Sequence, residues 1–175
     1  MSEPLKQYLE HLYMPPEDLL RLTERQNFQS SGPGGQKRNR VRSAVRLKLP
    51  ALELISECGE FREADRNLKK ALRGLRLKLA LAAAENVETE SREEYDFAPA
   101  RRPAFRVRVN PEHDDFPEFA FRALGALRYF RGDQKAAAAV LEVSPSALVR
   151  FLKIDKRVFA RANDCRTRLG LPPLH

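Results

Sequence analysis

The chain is built around Ser30-Ser31-Gly32-Pro33-Gly34-Gly35-Gln36-Lys37-Arg38-Asn39-Arg40, where a glycine-rich segment runs into a basic one. Gly34 and Gly35 lack a Cβ, so their backbone can adopt positive φ and approach another molecule closely. Pro33 fixes φ just before them, which favours a loop of defined shape over a floppy linker. Gln36 follows at the expected tip of this loop.

Gln36 carries a polar side chain that does not titrate. It offers a carbonyl acceptor, amide donors and a backbone N–H that a loop can leave available. These groups can hold a water molecule and a developing oxyanion, although they cannot act as an ionising general base. A bare Gly-Gly-Gln is also common in ordinary turns, so the tripeptide alone leaves both interpretations open.

The residues that flank the loop carry a family resemblance. Ser31-Gly-x-Gly-Gly-Gln-x-x-Asn39, followed by Ser43-Ala44-Val45-Arg46-Leu47, resembles the peptidyl-tRNA hydrolysing domain of class I peptide-chain release factors. The resemblance extends to Cys58 and to Arg62 with Asn67, which match the family motif that opens its long helix. It covers about residues 20 to 84.

The resemblance implies hydrolysis of the ester that joins a nascent peptide to tRNA in the ribosomal peptidyl-transferase centre. Gly34, Gly35 and Gln36 are then the catalytic residues. The Gln36 backbone N–H would donate to the oxyanion while its side chain orients the attacking water, and the glycines would let the loop fit between RNA walls. The implied partners are large-subunit ribosomal RNA and the P-site peptidyl-tRNA, with the protein acting as a monomer. No metal or organic cofactor is implied.

The resemblance also predicts a specialised role. Full-length release factors carry a codon-reading domain and a long helical domain ahead of the hydrolytic one, whereas few residues precede the loop here. We therefore expect a stop-codon-independent ribosome-rescue factor. Known factors of that type anchor through a disordered basic tail, and this chain has a predicted helical module instead.

The charge of the chain indicates a polyanionic partner. The 175 residues contain 32 Lys+Arg against 24 Asp+Glu, a net charge of +8. A cluster without acidic residues lies in and after the loop, which is typical of an RNA-binding surface. The RNA-binding candidates are Lys37, Arg38, Arg40, Arg42, Arg46 and Lys48, together with Arg62 and, in the C-terminal module, Arg150 and Lys153.

The remaining composition favours a cytoplasmic protein. No apolar run approaches the roughly 20 residues that a membrane-spanning helix needs, and we find no signal or transit peptide. Cys58 and Cys165 show neither a disulfide framework nor metal-ligand spacing, so we expect both to be packing residues.

Apolar periodicity predicts an α+β fold followed by a small all-α module. We expect a three-stranded antiparallel sheet and a long packed helix in a catalytic domain over residues 1–90, a linker over 91–111, and a module over 112–175. Predicted strands are 26–30, 42–49 and 52–58, with Leu52 and Leu54 inward on the third and Ile55 as a further inward candidate. Predicted helices are 3–13, a short one from Pro16, 62–84, 119–130, 133–141, 144–154 and 156–169. The basic side of the long helix is either an RNA contact or a solvated face.

The second and third helices of the C-terminal module match a helix-turn-helix pattern. Ser144 and Pro145 fit the start of the third helix, and Leu148 and Phe151 fit its buried side. Glu142 occupies the turn position usually held by glycine, where the backbone is left-handed. Glu53 likewise stands where release factors usually have a turn glycine. The module is therefore either a nucleic-acid binder or a plain helical bundle.

A non-enzymatic reading also remains open. The chain could be a ribosome-associated RNA-binding protein whose glycine-rich segment is only a turn. The helix-turn-helix pattern even permits a nucleic-acid-binding regulator.

Overall fold

A computed structural model describes residues 2–29, 42–88 and 104–175. Gly34, Gly35, Gln36, Lys37, Arg38 and Arg40 lie outside the described residues, as does most of the predicted linker. The described elements are α1 (Glu3–Tyr13), α2 (Pro16–Arg21), β1 (Glu24–Phe28), β2 (Ala44–Leu49), β3 (Leu54–Cys58), α3 (Ala64–Glu85), α4 (Phe116–Tyr129), α5 (Gln134–Val140), α6 (Pro145–Leu152) and α7 (Lys156–Arg168). The predicted α+β class, with its three-stranded antiparallel sheet and long helix, is confirmed.

The described chain falls into two compact units. We call Tyr13–Leu79 the sheet unit, and Met1–Leu12 with Ala80–His175 the helical unit. The helix α3 contributes its first part to the sheet unit and its last turns to the helical unit. The division into domains 1–90, 91–111 and 112–175 stays a prediction. The compact units have other boundaries, because residues 1–12 and 80–90 belong to the helical unit.

The sheet has the strand order β1-β2-β3, and both pairings are antiparallel. Alternation in β2 buries Val45, Leu47 and Leu49 and turns Lys48 to solvent, as expected for a half-buried strand. The strand β1 lies two residues earlier than predicted. Its side chains are mostly exposed, so register with β2, rather than an apolar pattern, determines its bounds.

One side chain of the third strand lies on the opposite face from the one predicted. Ile55, expected as a possible inward residue, is 41% exposed, whereas Ser56 and Cys58 are buried. Gly74 of α3 lies beside this strand: a Cβ added there would be 2.5 Å from the Ser56 hydroxyl oxygen. Glycine therefore allows α3 to approach β3 closely.

The turn between β2 and β3 passes through a left-handed glutamate. A short 3-10 turn over Pro50–Leu52 ends at Glu53, which has φ 52° and ψ 28°. The conformation that glycine would favour is thus present without the glycine.

The helical unit is organised around α4, which is buried along most of its length. Side-chain caps begin the next three helices: Asp133 for α5, Ser144 for α6 and Asp155 for α7. Glu142, between α5 and α6, has φ 57°, which confirms the left-handed turn expected for a helix-turn-helix. Gly170, with φ 71°, follows the end of α7.

Candidate catalytic loop and nucleic-acid interfaces

The ends of the segment that carries Gly34, Gly35 and Gln36 lie side by side on the sheet. β1 ends at Phe28, β2 begins at Ala44, and these two residues are register partners. Because the pairing is antiparallel, the chain leaves and re-enters the sheet at the same end. The three predicted catalytic residues therefore belong to a connection between two paired strands.

Asn67 fixes the end of the sheet where this connection returns. The side chain is fully buried. Its amide nitrogen donates to the Ser43 carbonyl and to the Phe61 carbonyl, both at 2.8 Å. Its carbonyl oxygen accepts from the Phe61 N–H at 2.9 Å and from the Cys58 thiol at 3.3 Å. One amide thus uses its full bonding capacity to join β2, β3 and the start of α3.

Sequence reasoning noticed Asn67 only as part of the family motif and did not anticipate this role. The available signal was an asparagine on the apolar stripe of a predicted amphipathic helix. Such a position predicts burial, and a buried amide must find several hydrogen-bond partners. Cys58, predicted as a packing residue, is indeed buried and is one of those partners.

The basic residues of β2 are paired across the sheet. Arg46 Nε donates to Glu57 Oε1 at 2.6 Å, and its guanidinium carbon lies 5.3 Å from the centre of the Phe28 ring. Lys48 Nζ lies 3.8 Å from a Glu24 carboxylate oxygen. Because these glutamates come from the neighbouring strands β1 and β3, the local positive charge is smaller than the run of basic residues in the sequence suggested. Exposed pairs of this kind contribute little energy, so a polyanion can displace them.

Further cations lie where β3 leads into α3. Arg62 is exposed just before α3 begins. The Arg66 guanidinium carbon lies 4.2 Å from the centre of the Phe61 ring, and Lys70 Nζ lies 2.6 Å from a Glu60 carboxylate oxygen. This end of the sheet unit therefore combines exposed cations with an aromatic ring, a combination suited to RNA.

Two predicted RNA-binding residues lie in the other unit. Arg150 on α6 and Lys153, the residue that caps the end of α6, are exposed, while Leu148, Phe151 and Leu152 are buried; the sequence predicted this for Leu148 and Phe151. Arg150 and Lys153 border a groove of about 700 Å³. The structure thus separates the candidate cations into a sheet-unit group and a helical-unit group.

The shifted pKa values belong to structural groups of the helical unit. Burial acts to raise the pKa of Asp155, but hydrogen bonds and charge from Arg157 outweigh it, so the pKa lies below its ordinary value. Hydrogen bonding to Asp155 raises the pKa of Arg157 above its ordinary value. Burial raises the pKa of Cys165, against the charges of Arg128, Arg168 and Arg166. A raised thiol pKa disfavours the reactive thiolate, which agrees with a packing role for Cys165.

The described residues contain neither a metal-binding cluster nor a membrane-spanning helix. Among residues 2–29, 42–88 and 104–175, no group of three or more His, Cys, Asp or Glu side chains is arranged to hold a metal ion. None of the helices in these ranges has the length and apolar character needed to cross a membrane.

The sequence of the chain is similar to those of known peptide chain release factors. Peptide chain release factor 1 of Streptomyces avermitilis is 37% identical over 80 residues, which cover 46% of this chain and 21% of that protein. The corresponding protein of Frankia casuarinae is 41% identical over 64 residues, covering 37% of this chain and 18% of its own. An uncharacterised mitochondrial release factor-like protein of Saccharomyces cerevisiae is 40% identical over 80 residues, covering 45% of this chain and 49% of its own.

These matches and a family model agree on the same part of the chain. The chain spans about a fifth of the length of the bacterial relatives and about half of the yeast one. No solved structure matches it. The model of the RF-1 domain matches residues 14–106, more than half of the 175 residues and inclusive of Gly34, Gly35 and Gln36. The chain therefore belongs to the RF-1 domain family of class I peptide chain release factors.

Proposed function

We propose that the protein is a peptidyl-tRNA hydrolase that acts in the peptidyl-transferase centre of the ribosome. One observation carries the proposal: the RF-1 domain match spans the Gly34-Gly35-Gln36 segment. The pairing of Phe28 with Ala44 and the bonds of Asn67 support it, since they attach both ends of that segment to a rigid sheet. Catalytic groups work best when a rigid scaffold positions them.

The proposed chemistry is attack of water on the ester carbonyl carbon. A tetrahedral oxyanion forms, and its collapse breaks the bond to the tRNA ribose oxygen, which takes up the proton lost by the attacking water and leaves as a hydroxyl. The Gln36 backbone N–H donates to the oxyanion, and the Gln36 side chain orients the water. Gly34 and Gly35 permit the close backbone approach that this geometry needs. No titratable side chain is required for these steps.

The finer proposal is stop-codon-independent rescue of stalled ribosomes. It rests on the helical unit, whose exposed Arg150 and Lys153 offer a contact that needs no codon. In the sheet unit, Arg42, Arg46, Lys48 and Arg62, with Lys37, Arg38 and Arg40 of the preceding segment, would contact large-subunit ribosomal RNA. The protein would act there as a cytoplasmic monomer on P-site peptidyl-tRNA.

Peptide release from ribosomes stalled on an mRNA without a stop codon tests the proposal. The purified chain should release labelled peptide without puromycin. Gly35→Ala should lower the rate about a hundredfold or more, the usual effect of losing an oxyanion donor. Gly170→Ala adds the same methyl group to a glycine that has φ 71° and open space around it, so it controls for the backbone strain and general loss of stability that such a change can cause. Release by the Gly35 variant at the wild-type rate would contradict the catalytic assignment.

A second candidate is a non-enzymatic nucleic-acid-binding protein. The left-handed Glu142 between α5 and α6 favours it, because this geometry is typical of a helix-turn-helix. Ribosome binding by the wild-type protein without any peptide release would support this candidate over the hydrolase.

A further inference from the structure

The helical unit contains a groove beside the exposed face of α6. The groove has a volume of about 700 Å³, within the range of roughly 300–1,000 Å³ found for ligand sites. It is lined by Ser146, Val149 and Arg150 of α6, by Lys153 directly after that helix, and by Pro173 and Leu174 of the C-terminal segment, which we call the wall.

The wall is held in place by hydrogen bonds. Leu174 is buried, and its N–H donates to Asn163 Oδ1 on α7 at 2.7 Å. Arg166 Nε donates to the Pro172 carbonyl at 2.8 Å, and the same guanidinium donates to the Gly132 carbonyl. The groove is therefore preformed, so a ligand would bind without first ordering the segment.

The charge of the groove is positive. Arg150 and Lys153 are exposed, and Arg166 also borders the space. No Asp or Glu is among the described residues that line it. Arg150 and Lys153 are three residues apart on one helix, so their side chains are neighbours on its surface. Such a pair can contact successive phosphates of one strand.

We propose that this groove binds the backbone of single-stranded RNA, with Arg150 and Lys153 on the phosphates and Ser146 and Val149 beside the sugars. The choice of RNA rests on the proposed function, which places the protein on the ribosome. Duplex DNA fits less well, because a helix that reads the major groove must be accessible along its exposed face, and here Pro173 and Leu174 border the same space as Val149 and Arg150. No Phe, Tyr or Trp is among the described lining residues, so we expect binding with little sequence preference.

The test uses the full chain and a single-stranded RNA of about 12 nucleotides, a typical site size for single-strand binders. Amide shifts of the 15N-labelled protein should change at Ser146 and Val149 on titration. Fluorescence anisotropy should show at least about tenfold weaker RNA binding for the double variant Arg150→Glu/Lys153→Glu. The slope of log affinity against log salt concentration should be smaller in magnitude by about 1.4, since two phosphate contacts are lost. A second RNA of unrelated sequence should bind equally well.

Lys156→Glu is the matched control for each single reversal. Lys156 is exposed at the start of α7 and is not among the groove residues, and an acid is favourable at a helix N-terminus. The proposal is overturned if Lys156→Glu weakens binding as much as Arg150→Glu or Lys153→Glu, or if the α6 amides do not respond to RNA. It is also overturned if duplex DNA or polyglutamate perturbs those amides at lower concentration than RNA.

Peptide release by the wild-type protein, measured in parallel, separates this inference from the proposed function. Peptide release without a response of the α6 amides would overturn RNA binding in the groove and support the proposed hydrolase activity. A response of those amides without peptide release would support RNA binding in the groove and contradict the proposed hydrolase activity.

Discussion

Asn67 shows how much one buried amide can hold. Asn67→Ala would leave the Ser43 and Phe61 carbonyls and the Phe61 N–H without their partner. An unpaired polar group costs about 1–3 kcal/mol when it is buried, and these three are partly buried, so we expect a loss of about 3 kcal/mol in the free energy of unfolding, measured with urea. Asn86→Ala is the control, since that side chain makes a single bond, to the Ala82 carbonyl, and should cost about 1 kcal/mol. Equal losses would contradict the role given to Asn67.

Asp155 should give a pH-dependent contribution to stability. Its carboxylate caps α7 and accepts from the Arg157 guanidinium at 2.7 Å. Because its folded-state pKa is lowered, the unfolded chain binds more protons in acid. The contribution is then complete above about pH 4 and is lost as the pH falls through the folded-state pKa.

Asp155→Asn tests the direction of this pH dependence, since asparagine can still cap the helix but cannot titrate. Thermal unfolding should show the variant less stable than wild type at about pH 7, with a smaller difference at about pH 3. A difference that grows in acid would contradict the assignment.

Two glutamates show what the sequence could and could not predict at single residues. Glu142 was predicted to be left-handed because the helix pattern on either side defines the turn, and its φ of 57° confirms this. For Glu53 the turn type could not be predicted, because its φ of 52° depends on how β2 and β3 pair. Asn67 was harder still, since its partners are distant in sequence.

At the scale of elements, the contact of α3 with β3 depends on a missing side chain. A Cβ on Gly74 would lie 2.5 Å from the Ser56 hydroxyl oxygen. Gly74→Ala should therefore destabilise the protein by about 1 kcal/mol, because overpacking outweighs the better helix propensity of alanine. In a Ser56→Ala background the oxygen is gone, and the same change should be neutral or stabilising by up to about 1 kcal/mol.

Urea unfolding of the wild type, both single variants and the double variant measures this coupling. An identical effect of Gly74→Ala in both backgrounds would show that the contact does not limit the packing.

The sequence predicted the elements well where one face is apolar. The strand β2 and the helices α3 to α7 follow their periodicity, and Ser144 begins α6 as its cap predicts. The exposed strand β1 was displaced, and the orientation of Ile55 was wrong. Both errors have the same cause: pairing along the sheet, rather than local pattern, determines these residues.

At the scale of the whole chain, the end of α3 depends on the C-terminal helices. The Val87 carbonyl accepts from Arg128 Nε at 2.8 Å, and Glu85 pairs with Arg161. Ala80, Ala83 and Val87 are buried in the helical unit. The linear pattern suggested a boundary after residue 90 because the polar stretch there has no apolar period, but these contacts join residues far apart in sequence.

A chain that ends at Asn110 should therefore lose order in the last turns of α3. We expect the amides of residues 80–87 to exchange hydrogen quickly in that variant and slowly in the full chain, since they lose their buried partners. The β2 amides of the sheet unit serve as the internal reference. Unchanged protection at residues 80–87 would mean that α3 is stable without the C-terminal helices.

The pairing of Phe28 with Ala44 makes the segment that carries Gly34, Gly35 and Gln36 replaceable without loss of the sheet. The sheet holds its register on its own hydrogen bonds, and a longer connection costs little, since doubling the length of a loop costs only about 0.6 kcal/mol. Residues 30 to 42 can therefore change in length and composition while the scaffold stays the same, provided that Ser43 keeps its carbonyl for Asn67. An Asn-Gly turn in their place would give an inert protein of the same fold. In this architecture, selection can act on the chemistry separately from stability.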